Sequence, residues 1–205
     1  MPGIENFGLF LLSGIILNIT PGADTMYILG RSISQGKRAG ILSILGISSG
    51  ALIHTLLASV GLSLILAKSI VAFSIIKYAG AAYLIYLGIK TLLSSDTLTL
   101  NEVKTDSMFK IYLQGVLTDL LNPKVALFFI SFLPQFVTAN NSYGPLPFLL
   151  LGLTFITTGT LWCIFLALSS ASVTNKLRDN PNVLRLLNKL VGCLFIGLGL
   201  RLVKA

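Results

Sequence analysis

Residues 18–24 read Asn-Ile-Thr-Pro-Gly-Ala-Asp, and they interrupt an apolar stretch that is long enough to cross a membrane. Residues 119–124 read Asp-Leu-Leu-Asn-Pro-Lys and interrupt a second such stretch later in the chain. Proline lacks an amide donor and clashes with the preceding turn, so each apolar helix is expected to break there. Charge and unwound backbone at membrane depth are costly unless they line an enclosed cavity. The two breaks therefore predict a secondary transporter with a substrate site near the middle of the membrane.

The composition places the chain among membrane proteins. Of its 205 residues, 54% are hydrophobic and 11% are charged, with a mean hydropathy of +0.87. Soluble domains carry roughly 25% charged residues. The net charge of +8 could suggest a nucleic-acid partner, but the basic residues stand at the ends of apolar segments, which is the membrane pattern. No nucleic-acid partner is expected.

Apolar segments of about 20 residues each predict an all-α membrane domain that covers residues 1–205 without a separate soluble unit. The six segments run approximately over Ile4–Leu29, Ile41–Leu66, Ile70–Leu93, Ile111–Phe136, Leu146–Ser172 and Leu184–Val203.

The distribution of Lys and Arg predicts the orientation. The first, third and fifth connections hold most of them, whereas the termini and the even connections hold few. By the positive-inside rule, both termini face away from the cytoplasm. The chain is thus expected to cross its membrane several times.

A weak internal repeat accompanies the two breaks. Gly14–Pro21 can be laid over Gly115–Asn122, which places Asn18 on Asp119. The repeats would cover about residues 1–94 and 108–205. Because each repeat has three spans, an odd number, the two must be inverted relative to each other, as in many transporters.

The first break supplies candidate substrate-binding residues: Asn18, Thr20, Pro21, Gly22 and Asp24. Proline suits the first position of a new helix, with Thr20 as its N-cap and Asp24 at the third position of a capping box. Two compatible roles are then open to Asp24. It caps a half-helix, or it binds a substrate ammonium or carries the coupling proton.

The second break adds Asn122, Pro123 and Lys124 to the candidate substrate-binding residues. Asn122 is a good N-cap and Pro123 a good first residue, so Lys124 falls in the first turn, where a cation opposes the helix dipole. Lys124 therefore needs a buried partner, for which Asp119, Asp24 and a bound carboxylate are the candidates. A structural ion pair and a substrate contact both remain open.

Asp24, Asp119 and His54 are the candidates for carrying the coupling proton, and His54 also has an ordinary role as an interior donor. Gly46 and Gly50 form a pair typical of close helix packing, either within one subunit or in a homodimer.

Several kinds of chemistry find no support in the sequence. There is no Walker loop for ATP, no zinc-ligand spacing around the single histidine and two cysteines, and no nucleophile paired with a base at a legible spacing. We therefore expect no cofactor, no metal and no enzymatic activity.

The motifs around these residues resemble the LysE/RhtB superfamily of amino-acid exporters. The resemblance follows the whole chain in order. It rests on Pro21–Asp24 with Gly36–Gly40, on Lys77–Gly88, on Asn122–Lys124 with Leu127–Phe129 and Leu133–Phe136, and on Asn188–Gly192 with Gly197–Gly199.

The resemblance implies six inner-membrane helices and proton-driven efflux of amino acids or derivatives, such as threonine, homoserine, homoserine lactone, leucine or lysine. Two positions depart from the family pattern. Many relatives read Pro-Gly-Pro followed by Asn, whereas this chain has Ala23 and Asp24, and the additional carboxylate would alter the charge preference for the substrate or supply a proton site.

The main hypothesis is an exporter of neutral amino acids that exchanges its substrate for protons. Asp24 and the carbonyls before Pro21 would hold the ammonium, while Lys124 and the half-helix amides would hold the carboxylate. The alternatives are an exporter of lysine or other basic amino acids, a membrane enzyme with Asp24 and Asp119 as an aspartyl pair, and a passive channel.

Overall fold

A computed structural model describes residues 3–93, 106–138 and 140–169, together with isolated positions between 186 and 200. The described residues form helices, with a single isolated β-bridge between Ile4 and Val137. The helices are α1 (Phe7–Ile19), α2 (Ala23–Lys68), α3 (Ile70–Leu93), α4 (Met108–Leu120), α5 (Pro123–Leu127) and α6 (Leu146–Leu168). A π-helical segment (Phe128–Phe132) and a 3₁₀ turn (Leu133–Phe136) continue α5.

The predicted break in the fourth apolar segment is confirmed. The segments Met108–Leu120 and Pro123–Phe136 meet at an angle of 47°. The bounds predicted for α3 agree with the structure, and so does the start of α6 at Leu146. The last segment, Leu184–Val203, lies mostly outside the described residues.

The connection predicted between the first two segments, Leu29 to Ile41, is a sharp corner at one residue. Helix α2 runs through residues 30–40 and changes direction at Gly36, whose φ of 80° and ψ of −178° are non-helical. This conformation is essentially restricted to glycine and would cost another residue about 1–3 kcal/mol. The chain folds back here, because a Cβ on Gly40 would collide with Ser32, eight positions earlier.

The second part of α2, residues 37–68, packs mainly against α4 and α6. The packing with α4 is very close. A Cβ on Gly46 would collide with the carbonyl oxygen of Tyr112, and a Cβ on Gly115 would lie 2.9 Å from the carbonyl oxygen of Ser43. The glycine pair in α2 therefore packs within one subunit. Of the two roles that the sequence left open, packing within a subunit and packing in a homodimer, the structure shows the first.

The described helices are those of a membrane protein. Residues 23–65 of α2 and all of α6 are long and apolar enough to cross a membrane, and the bent pair α4–Phe136 makes a third span if it is counted as one. Helix α1 is apolar but shorter, at about 20 Å. Many large apolar side chains on these helices are exposed, as lipid-facing residues would be.

Candidate functional site

The first break is wider than its sequence predicts. Helix α1 ends at Ile19, the chain is extended at Thr20 and Gly22, and α2 starts at Ala23 with Gly22 as its N-cap. The prediction that Thr20 caps the second half-helix is therefore wrong. Its hydroxyl donates backwards to the carbonyl of Ile16 at 2.8 Å. Because the helix begins two residues after Pro21, Asp24 is not part of a capping box.

The second break has the predicted local geometry. Asn122 is the N-cap of α5, Pro123 is its first residue, and the side-chain oxygen of Asn122 accepts a hydrogen bond from the Lys124 amide at 3.0 Å. Lys124 thus stands in the first turn. Its ammonium needs a stabilising partner elsewhere, because the helix dipole does not provide one.

Side chains from the second break bind the first. Asn122 Nδ2 donates to Asp24 Oδ2 at 2.9 Å. Lys124 Nζ donates to the carbonyl oxygens of Leu17 and Thr20 at 2.9 and 3.0 Å. The Leu17 carbonyl belongs to the last turn of α1 and also accepts the Thr20 amide at 3.2 Å, whereas Thr20 is the C-cap, where the helix stops.

Backbone carbonyls therefore bind Lys124, in place of the carboxylates that the sequence suggested. Within the described part of the chain, no carboxylate lies at ion-pair distance from Lys124 Nζ. The carbonyls before Pro21, which were expected to bind a substrate ammonium, already hold the ammonium of Lys124 instead.

A cavity of about 60 Å³ lies between the two breaks, which is room for several water molecules. Five of the predicted binding residues line it: Asn18, Thr20, Gly22, Asp24 and Lys124. Pro21, Asn122 and Pro123 do not line it, although Asn122 holds Asp24 in place.

The two carboxylates predicted for proton coupling both line this cavity. Asp119 is 2% exposed, and its Oδ2 has no hydrogen-bond partner among the described residues. Gly50 makes room for it, since a Cβ there would lie 2.8 Å from Asp119 Oδ2. Asp24 Oδ1 likewise has no partner in the described part of the chain. No hydrogen bond between the two carboxyl groups is found there.

His54 does not line the cavity. Its ring stacks on Phe129, with centroids 5.6 Å apart, and lies against the backbone of Asp119 and Leu120. It is therefore a neighbour of Asp119 rather than a direct contact of anything bound in the cavity.

Helix α6 supplies a wall of the cavity that sequence reasoning did not assign to the site. Thr160 and Ser48 share a hydrogen bond of 2.9 Å, and Asn18 Nδ2 donates to Thr158 at 3.1 Å. Gly159 allows this approach, because a Cβ there would lie 3.1 Å from Asn18 Oδ1. The cluster of threonines in α6 was the available signal. Cys163 also lines the cavity, and nothing in its sequence context indicated that.

Comparisons with known proteins match nearly the whole chain. The family model described as LysE type translocator matches residues 15–205. The membrane protein YrhP of Bacillus subtilis is 32% identical over 193 residues, covering 89% of this chain and 91% of the relative. A membrane protein of Vibrio cholerae is 31% identical over 197 residues, covering 96% and 95%.

A third relative carries a functional name. The leucine efflux protein of Salmonella typhimurium is 30% identical over 203 residues, covering 98% of this chain and 95% of the relative. No solved structure matches the chain.

Proposed function

The chain belongs to the LysE type translocator family, and we propose that it is a secondary exporter of neutral amino acids driven by the proton gradient. The leucine efflux relatives support an amino-acid substrate. They also favour a transporter over an aspartyl-type enzyme. The observation that carries the proposal is the cavity between the two breaks, where a carboxylate, an amide and an ammonium meet.

The proposed site binds a zwitterion by its two charged ends. Asp24 Oδ1, which has no hydrogen-bond partner in the described residues, faces the substrate ammonium. Lys124 and the backbone amides that begin the half-helices hold the substrate carboxylate. Asn18, held by α6, contributes an amide to the same cavity.

Proton coupling is assigned to one of the carboxylates that line the cavity, Asp24 or Asp119, with His54 as a relay beside Asp119. A buried carboxylate without a donor is poorly solvated when it is charged, so a proton or a substrate cation would compete for it. This competition is what exchange of substrate for protons requires.

The proposed setting is the bacterial inner membrane, with six spans in two inverted repeats and both termini outside the cytoplasm. The repeats would rock about the breaks to expose the cavity to each side in turn. The helical, apolar character of the described residues supports a membrane location.

Counterflow in proteoliposomes tests the function. Vesicles loaded with unlabelled leucine should accumulate labelled leucine, and an imposed proton gradient should drive uphill transport. Asp24→Asn and Asp119→Asn keep the size of the side chain, and the variant that replaces the coupling carboxylate should abolish the response to the proton gradient. An Asp24→Asn protein with full proton-driven transport would exclude Asp24 from coupling, and flux without uphill accumulation would indicate a passive channel.

One observation favours a second candidate, an exporter of basic amino acids. The ammonium of Lys124 is already bound by two carbonyls, while one oxygen each of Asp24 and Asp119 has no hydrogen-bond partner among the described residues. The cavity therefore offers more negative than positive charge to a ligand. In the same assay, lysine that exchanges faster than leucine would identify this candidate.

A further inference from the structure

A polar network closes one end of the molecule. Arg31, which is 4% exposed, donates at 2.6 Å both to Asp106 Oδ2 and to Gln114 Oε1. Gln35 donates to the carbonyl of Asp106 at 2.9 Å, and Tyr27 donates to the carbonyl of Ile111 in α4 at 2.6 Å. We call this network of α2 and the start of α4 the polar closure.

An aromatic cluster joins α1 to the segment that follows α5. Phe10 of α1 packs against Phe128, Phe132 and Phe136, with ring centroids 5.3 to 6.2 Å apart. Phe10, Phe132 and Phe136 are each 1% exposed. The amide of Glu5 donates to the carbonyl of Phe136 at 2.8 Å. We call this cluster the aromatic closure.

The two closures lie on opposite sides of the cavity. The second bent helix starts beside the polar closure at Asp106 and Met108, and it ends in the aromatic closure at Phe136. The break at Asn122, on either side of which Asp119 and Lys124 line the cavity, lies between them. Each closure thus lies between the cavity and a different end of the bent helix.

The closures also occupy equivalent positions in the two proposed repeats. The alignment that places Gly14 on Gly115 pairs three residues after the first break with three residues after the second. The pairs are Tyr27 with Phe128, Arg31 with Phe132, and Gln35 with Phe136.

The contacts of these residues correspond as well. In that alignment Asp106 pairs with Glu5. The amide of Asp106 donates to Gln35 Oε1 at 3.2 Å, and the amide of Glu5 donates to the carbonyl of Phe136 at 2.8 Å. A second set of contacts corresponds in the same way: Tyr27 with Ile111, and Phe128 with Phe10. The same half-helix surface is therefore polar in one repeat and aromatic in the other.

We propose that the polar closure and the aromatic closure are the two gates of the transport cycle, each opening the cavity to one side. This inference rests on the proposed transport function. Water can replace the hydrogen bonds of the polar gate as it opens, whereas the aromatic gate closes by apolar burial. By the proposed orientation, the polar gate faces the cytoplasm.

The native Cys163 is a reporter for both gates, because it lines the cavity between them. In a Cys193→Ser background, a membrane-impermeant methanethiosulfonate is added to one face of right-side-out or inside-out vesicles. The rate at which Cys163 is modified then measures how often the cavity opens to that face. This readout needs no known substrate, so a failed export assay does not affect it.

Asp106→Asn weakens the polar gate and should speed Cys163 modification from the cytoplasmic face at least about tenfold, since it weakens a charge-assisted hydrogen bond. Phe132→Leu should speed it from the opposite face, and it keeps an apolar side chain so that the protein folds. Lys37→Gln and Ile130→Leu are the matched controls, because both side chains are exposed. They should change neither rate.

The proposal requires that the two gate variants act on opposite faces. Gate variants that act on the same face, on both faces equally, or no more than their controls would overturn it. Thermal unfolding of each variant in detergent separates an opened gate from a loosened fold, which would speed modification from both faces.

Discussion

The hydrogen bond between Asn122 and Asp24 should couple the two breaks energetically. A hydrogen bond to a charged group contributes about 1.5–3 kcal/mol to stability, and Asn122 Nδ2 lies 2.9 Å from Asp24 Oδ2. Asn122 also caps α5 through the Lys124 amide, which adds about 1 kcal/mol. Asn122→Ala should therefore lower the free energy of unfolding by about 2.5–4 kcal/mol.

Asp24→Ala loses the same hydrogen bond but not the cap, so it should destabilise the protein less than Asn122→Ala does. The double variant should lose about 1.5–3 kcal/mol less than the sum of the two single variants. The assay is reversible unfolding in mixed micelles, followed by circular dichroism. Asp24→Ala combined with Asn18→Ala is the control and should be nearly additive, because Asn18 bonds Thr158 instead. Additive effects for Asp24 and Asn122 would refute the direct bond between the breaks.

Two further predictions concern α2 and the polar gate. Gly50→Ala should lower the free energy of unfolding by about 1–3 kcal/mol, because the new Cβ would lie within 3.0 Å of α4. Gly61→Ala is the control and should be neutral or stabilising, because nothing lies within 4 Å of its Cβ. Both variants are compared by thermal unfolding in detergent. Hydrogen bonds from Lys110 and then Arg31 hold the pKa of Asp106 below its usual 3.8. A lowered pKa adds stability that is present above the usual value and lost as the pH falls through the lowered one. Because only the thiolate reacts, the pH dependence of the thiol itself cancels in a ratio of two rates. The ratio of the Cys163 modification rate from the polar face to that from the opposite face should therefore be constant between about pH 5 and 8, and a clear rise of this ratio toward pH 5 would contradict this role of Asp106.

The two proline breaks, the helical class and the convergence of Asp24, Asp119 and Lys124 on one cavity could all be predicted from sequence. Proline chemistry is local, and buried charge in an apolar chain leaves few alternatives. The N-cap at Asn122 was predictable for the same reason. The N-cap predicted at Thr20 was wrong, because the flexible Gly22 after the proline lets the chain stay extended for two more residues.

What could not be predicted depends on contacts between distant segments. The bonds from Lys124 to the carbonyls of Leu17 and Thr20 join groups more than a hundred positions apart. The local periodicity of a sequence contains no information about such pairs. The position of the corner between the first two segments was predicted only to within Leu29–Ile41, because the corner uses one glycine conformation and Gly36 alone does not reveal it.

The most direct test of the account is whether the transported amino acid occupies the cavity between the breaks. Cys163 is modified by a small thiol reagent in proteoliposomes, with and without the amino acid that shows the fastest counterflow. A saturating concentration of that amino acid should slow the modification severalfold, with half-maximal protection near its half-saturation for transport. An amino acid that is transported rapidly but leaves Cys163 equally reactive would contradict the central claim.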